Sequence, residues 1–313
     1  MALAMLALTL FHPGVLNDGD TFWHLATGDW IASRHSVPDV DPFSYSRAGA
    51  PWVCHEWLSD LLLAMAFKVA GWSGMVLLAG MAAAAAMFQF TRYMDRWFPP
   101  VGVLVLAVAA LALTAPSLLV RPHVIALPAL VAWMIGMLDA RTAARAPAWH
   151  LLPVLTLWAN LHGSFVLGLA VAGVFALEAL LATPNDWRRI VRHWGTFIAA
   201  ALAATLISPN GIAGLLHPFA LMGMQSLPFI GEWQPPDFGT FQPLEMVLIG
   251  GLYFMLSRGT RLPLVRLLLL LVVIHLALSH ARHGILVCFV AMLAIAELCR
   301  AVTKPATGAP ALC

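Results

Sequence analysis

Charge is what this chain has least of. Only 10% of its 313 residues are Asp, Glu, Lys or Arg, while 61% are hydrophobic; soluble domains carry about 25% charged residues. One core cannot hide that much apolar surface from water, so the solvent must be a bilayer. A disordered chain, a secreted disulfide scaffold and a basic nucleic-acid binder are excluded, and no nucleic acid is expected among its partners. Cysteine is scarce too. Cys54, Cys288, Cys299 and Cys313 form no C-x-x-C pair, so neither a disulfide framework nor a zinc site is expected; the thiols read as small apolar neighbours. Lys and Arg are missing before Arg34, which argues against a cleaved signal peptide, since that needs a basic start. The first apolar run, Met1 to Phe11, is short against the ~20 residues of a spanning helix. Either the first helix is short or the true start lies upstream. No Walker A or G-x-G-x-x-G sequence is present, which argues against a nucleotide site, and there is no internal repeat and no separate soluble domain.

What is there is a series of apolar segments: 1–16, 58–94, 101–119, 123–140, 148–160, 163–183, 190–208, 243–257, 262–280 and 284–301. They predict an all-α fold, a polytopic transmembrane bundle of about ten spans forming a single integral membrane domain over 1–313. The second segment is too long for one crossing, and Gly71-Trp72-Ser73-Gly74 should break it into an interfacial helix and a true span. The fifth is too short, and Asn160 to Gly163 reads as a break inside the membrane. With the N-terminus inside, the cytoplasmic side receives Arg92, Arg96, Arg141, Arg145, Arg188, Arg189, Arg192, Arg258, Arg261, Arg266, Arg300 and Lys304, and the outer side only Arg34, Arg47, Arg121 and Arg282. That is a strong positive-inside bias. It predicts that both termini are cytoplasmic. The acids and histidines gather on the outer face, and the inner face reads as plain anchorage.

Two long connections lie outside: a first extracytoplasmic loop, 17–56, carrying interfacial helices, and a second, 208–242. Long loops in compact proteins are often functional, and these carry Trp, Pro, Asp and His. A helix is expected from Asp20 to Arg34, with Asp20, Trp23, His24 and Thr27 on one face. Asp20 is either an N-cap or a reactive group, and Asp18 either a turn residue or its partner. Together with His24 the two acids could hold a divalent cation (Mg or Mn), or one could act as a general base. Further on, Asp41-Pro42 is a turn signal. His55-Glu56 stands where the next helix begins, where an acid suits the helix dipole; the pair lacks the second His of a zincin.

These residues carry a resemblance. Asp18-x-Asp20-x-x-Trp23-His24-x-x-x-Gly28, Val37-Pro38-x-x-Asp41-Pro42-Phe43-Ser44 and Pro51-Trp52-x-x-His55-Glu56-Trp57-Leu58 resemble bacterial GT-C glycosyltransferases. They are similar to the polyprenyl-phosphate-sugar-dependent mannosyl- and arabinosyltransferases. The likeness extends over the first 60 residues, with Asn160-Leu161-His162-Gly163-Ser164-Phe165 and Ser208-Pro209-Asn210-Gly211 similar further on. It implies a catalytic acid in the first outer loop, at Asp18 or Asp20. It also implies a polyprenyl-phosphate-linked sugar as donor and a glycan, lipid or protein acceptor.

Such chemistry suits the address. No nucleotide sugar exists outside the inner membrane, so a donor must be anchored to lipid. Transfer with inversion needs a carboxylate for the acceptor proton and a cation for the leaving phosphate, part of which a metal could supply. The candidate phosphate holders are Arg121, in Arg121-Pro122-His123, and Arg282, in His280-Ala281-Arg282-His283; arginine suits phosphate geometry, and the alternative is snorkelling to headgroups. His24, Asp41, His55, Glu56, His123, Asn160, His162 and His283 complete the candidate substrate contacts, Asn160 and His162 having interhelical hydrogen bonding as the plainer reading. Glu232-Trp233 reads as a sugar contact or as part of the aromatic belt. Gly71-Trp72-Ser73-Gly74 also matches the G-x-S-G of rhomboid proteases, but lacks an evident His partner and is read as the helix break. Two other functions compete. A lipid-linked-sugar transporter or flippase would need ionisable groups through the spans, where Glu178 is the main candidate. A non-catalytic membrane assembly subunit would leave Asp20, Arg121 and Arg282 far apart.

Overall fold

A computed structural model describes residues 1–300, without the side chain of Arg300; Lys304, Cys313 and the C-terminus lie outside the described residues. The described residues are helical, with a lone bridge between Val40 and Pro51 as the only β pairing among them. The helices are α1 (Ala2–Phe11), α2 (Asp20–Arg34), α3 (Trp57–Met94), α4 (Pro100–Thr114), α5 (Pro122–Thr142), α6 (Leu151–Leu161), α7 (Phe165–Ala182), α8 (Trp187–Thr205), α9 (Gly211–Met222), α10 (Pro243–Arg258), α11 (Leu264–Ser279), α12 (Gly284–Leu286) and α13 (Leu293–Arg300), the last two joined by a π-helical turn, Val287–Met292.

Among the described residues, five helices are long and apolar enough to cross a membrane: Trp57–Met94, Pro100–Ser117, Pro122–Thr142, Phe165–Ala182 and Ala281–Cys299. Ala2–Phe11, Leu151–Leu161, Gly211–Met222 and Leu264–Ser279 are apolar but shorter. The other expected spans coincide with α8, whose first turns carry Arg188, Arg189 and Arg192, and with the 16-residue α10. The outer surfaces invert the soluble pattern. Val101, Leu104, Val105 and Val108 of α4, and Met246, Ile249, Leu252 and Leu256 of α10, are exposed, as lipid-solvated faces should be.

The break in the second apolar segment is real. Within α3, Ala70 has φ −143° and ψ 21°, and Gly71 has φ 59° and ψ −147°, a conformation that only glycine adopts freely. Within the expected second loop, 208–242, residues 211–222 form the apolar helix α9. Ile212, Leu216, Phe219 and Met222 stay exposed on it, an apolar surface like those of α4 and α10.

α5 lies at the centre, packed on α3, α6 and α7, with Trp133, Trp158, Phe90 and Phe175 fully buried around it. α2 lies along the first half of α3. A Cβ on Gly28 would sit 2.0 Å from the Asp60 carbonyl oxygen, so glycine sets how closely these helices approach.

Candidate functional site

Polar groups of the two long loops meet at one end of the bundle. Arg121 precedes Pro122 and is extended, with φ −135° and ψ 157°, because a following proline disfavours the helical conformation. The turn before it is pinned by Val120 N–H donating to the Val15 carbonyl at 2.9 Å, which sets Arg121 beside the segment that carries Asp18. Its guanidinium donates through Nε and Nη2 to both oxygens of Asp18, from Nη2 to Asp20 at 2.6 Å and from Nη1 to Glu232 at 2.8 Å. Burial works against this charge, but the Asp18 bonds and the charges of Glu232, Asp18 and Asp20 outweigh it and raise the Arg121 pKa.

Glu232 extends the network. Its second oxygen accepts from Arg282 Nη1 at 2.9 Å, and the Arg282 guanidinium stacks over Trp233 with 4.6 Å to the ring centroid. α11 ends in the extended His280, whose Nδ1–H donates to the Trp233 carbonyl at 2.7 Å, while Ala281 N–H donates to the Gln234 carbonyl at 2.9 Å. Two arginines and three carboxylates from four separate segments thus converge.

Glu56 forms the adjoining part. Its Oε1 lies 3.6 Å from His55 Nε2 and 3.4 Å from His162 Nε2. His162 Nδ1 accepts from the Ser164 hydroxyl at 2.7 Å and the Ser164 N–H at 3.1 Å, which leaves its proton on Nε2, toward Glu56. Burial raises the Glu56 pKa above the usual carboxylate range, against the opposing charges of His24, Arg282 and Arg121. Burial likewise lowers the His55 pKa. The His123 ring centroid lies 6.2 Å from that of His162, and His123 Nε2–H donates to the Ser117 carbonyl at 3.0 Å.

Several predicted residues serve other ends. His24 does not join Asp18 and Asp20. It faces α3 and donates from Nδ1 to Asp60 at 2.7 Å in a buried pair. Burial opposes charging His24, but the Asp60 bond and the charges of Asp60, Glu56 and Asp20 win, and its pKa is raised. The expected shared face of α2 is therefore split: Thr21, His24, Thr27, Gly28 and Ile31 are buried, while Asp20 and Trp23 are exposed. Gly19 takes the N-cap position, and the Asp20 N–H donates to Asp18 at 3.1 Å, so Asp20 is not the cap. Asn160 is fully used as a brace: its Oδ1 accepts from Trp57 at 2.7 Å, and its Nδ2 donates to the Thr156 and Ile207 carbonyls at 2.8 and 2.9 Å. That leaves it little to offer a substrate. His283 packs against Trp233 and His280, and its Nδ1 is buried without a hydrogen-bond partner.

Asp41 belongs to a different feature. It accepts from the Phe43 and Ser44 N–H groups at 2.8 and 3.0 Å and from the Ser44 hydroxyl; these bonds, the hydroxyl's foremost, lower its pKa. With Trp23, Phe43, Arg47 and Trp52 it lines a surface cavity of about 370 Å³. The Trp23 and Trp52 rings are 4.7 Å apart. Such rings offer flat apolar faces beside charged groups.

No protein-family profile, curated protein or solved structure matches this chain. The site must be judged on its own geometry. Two roles were not foreseen, that of Glu232, read only as a sugar contact or belt residue, and that of Asp60. Glu232 bridges both arginines, and its signal was the scarcity of outer cations, each of which wants a carboxylate. Asp60 holds His24, and its signal was a carboxylate inside an apolar helix, where an acid without a partner is expensive.

Proposed function

We propose that the protein is a GT-C-like glycosyltransferase of a bacterial inner membrane. It moves a sugar from a polyprenyl-phosphate carrier to a glycan, lipid or protein acceptor on the extracytoplasmic side. The reading takes ten crossings with both termini in the cytoplasm, which the distribution of Lys and Arg supports. One observation carries it: Asp18, Asp20, Arg121, Glu232 and Arg282 converge at a single end of the bundle, where a lipid-borne donor would present its phosphate.

In this reading Arg121 and Arg282 neutralise the phosphate as it leaves, and Glu232 sets their spacing. Asp20, whose side chain is 60% exposed, takes the proton of the acceptor hydroxyl. The new bond forms between that oxygen and the anomeric carbon as the bond from that carbon to the phosphate oxygen breaks. Asp18, with both oxygens bound by Arg121, positions the guanidinium. A divalent cation between Asp18 and Asp20 would have to displace Arg121, so the donor set suits a guanidinium there better than a metal. The rings at Trp23 and Trp52 suit the acceptor's sugar face.

A second reading has its own support. Arg121 is saturated by the chain's own acids, as a clasp between loops in a non-catalytic assembly subunit would be. Nothing comparable favours a flippase, since Glu178 is engaged by Arg266 and Arg141.

Transfer from a radiolabelled polyprenyl-phosphate sugar to acceptor membranes separates the readings. Wild type should transfer label, and Asp20→Asn should lose at least ~100-fold, the usual contribution of a general base, at equal protein level. Full transfer by Asp20→Asn removes the base assignment. A wild type inert with every polyprenyl-phosphate sugar leaves the clasp.

A further inference from the structure

The end of the bundle opposite this cluster is not plain anchorage. It holds an open cavity of about 610 Å³ lined by Arg141, Thr142, Arg261, Arg266 and Glu297 among others. The end of α5 supplies Arg141 and Thr142. Gly259, left-handed with φ 59° and ψ 37°, stops α10 and turns the chain toward Arg261. α11 supplies Arg266, and α13 supplies Glu297.

The charges there do not balance. The buried carboxylate of Glu178 accepts from Arg266 Nε at 3.2 and 3.0 Å, and Arg141 Nε stands 3.6 Å from it. The Arg266 and Arg141 side chains are only 4% and 13% exposed. Arg141 Nε is buried and makes no hydrogen bond. Glu297 accepts from the Thr142 hydroxyl at 3.0 Å, and Arg261 is exposed at the rim. Among the described residues, three guanidinium groups against two carboxylates leave one positive charge in excess, and the exposed Arg261 carries it at the rim of the open cavity. Such a charge is free to take an anion from outside the chain.

We infer that this cavity binds a phosphate-bearing anion, through the Arg141 and Arg261 guanidinium groups with the Thr142 hydroxyl beside them. Guanidinium forks match phosphate oxygens in pairs. Basic pockets between helices on the cytoplasmic side recognise anionic headgroups through the same chemistry. The ligand is a phospholipid headgroup or free phosphate, and the inference is independent of the glycosyltransferase reading.

The full chain, purified in neutral detergent, is titrated with radiolabelled inorganic phosphate against chloride of equal ionic strength. In parallel it is placed in phosphatidylcholine nanodiscs with and without phosphatidylglycerol, and retained phosphatidylglycerol is counted by native mass spectrometry. At least one probe should bind saturably. Arg141→Gln with Arg261→Gln should weaken it about tenfold or more, the loss expected for a charge-assisted hydrogen bond. Arg188→Gln, an exposed basic control, should not. Because Arg261 is exposed, Arg261→Gln alone should keep the fold and still weaken binding, which guards against a double variant that fails to fold. Retention of phosphatidylglycerol without phosphate binding identifies a lipid; phosphate binding alone identifies a soluble anion; both together show that the phosphate group suffices. Binding of neither probe above its chloride or phosphatidylcholine control overturns the inference, as does an equal loss in Arg188→Gln and the Arg261 variants.

Discussion

Arg121 should be the residue whose loss this end of the bundle tolerates least. Its three carboxylate partners differ in setting: the Asp18 side chain is 7% exposed, Glu232 29% and Asp20 60%. Stripping one partner from a buried ion pair costs about 3–5 kcal/mol, because the other charge is stranded. That figure applies to Asp18. The Asp20 contact is surface-like and contributes about 1 kcal/mol or less, and Glu232 keeps Arg282. Arg121→Gln should therefore destabilise by about 4 kcal/mol, most of it at Asp18. Arg121→Lys keeps the charge but not the fork, and should lose about half as much. Adding Asp18→Asn to Arg121→Gln removes the stranded carboxylate and should recover about 2 kcal/mol, a coupling that a double-mutant cycle reads directly. The assay is unfolding in mixed micelles titrated with SDS, followed by tryptophan fluorescence. Arg121→Gln within ~0.5 kcal/mol of wild type, the range of an ordinary surface change, would refute this reasoning. So would an Asp18→Asn change that adds to the loss rather than relieving it.

Other outcomes follow from the same geometry. Gly28→Ala places a methyl 2.0 Å from the Asp60 carbonyl oxygen and forces α2 off α3; its melting temperature should fall, with a cost of about 3 kcal/mol, at the upper end for overpacking. Gly71→Ala must hold φ 59° and ψ −147°, a region that costs a non-glycine residue about 1–3 kcal/mol; an unchanged Tm would show that the break forms some other way. Burial raises the Glu56 pKa, so its stabilising contribution is present below the ordinary carboxylate pKa and is lost as pH rises through the raised value. Glu56→Gln is uncharged throughout, and its Tm relative to wild type should climb as pH rises from the ordinary carboxylate value through the raised one; a flat or falling difference contradicts the sign.

Much of the architecture was legible because hydropathy and glycine placement act locally. The α2 limits, Asp20 and Arg34, follow from an acidic start and the periodicity behind it, and the α3 break from a Gly-Trp-Ser-Gly run. α9 was not legible as a helix, since Pro218 and the flanking Asn210-Gly211 look like loop punctuation until a lipid-facing surface accounts for Ile212, Leu216 and Phe219. Within the site, Arg121 and Arg282 were paired as candidate phosphate holders because cations are scarce in the expected outer loops. The partners of single polar residues were not, because they depend on which helix packs where. His24 shares a helical stripe with Asp20, yet the close approach at Gly28 turns it to Asp60. Asn160 sits in a motif-like stretch, yet its three hydrogen bonds go to Trp57, Thr156 and Ile207.

Which side of the membrane holds the first loop is the most direct test. Tyr45 is fully exposed in that loop, so Tyr45→Cys in a background without the native cysteines reports its side to a membrane-impermeant maleimide. Labelling in intact spheroplasts, equal to that after permeabilisation, is the predicted result. Labelling only after permeabilisation would put the carboxylate–guanidinium cluster in the cytosol, where no externally presented polyprenyl-phosphate sugar could reach it.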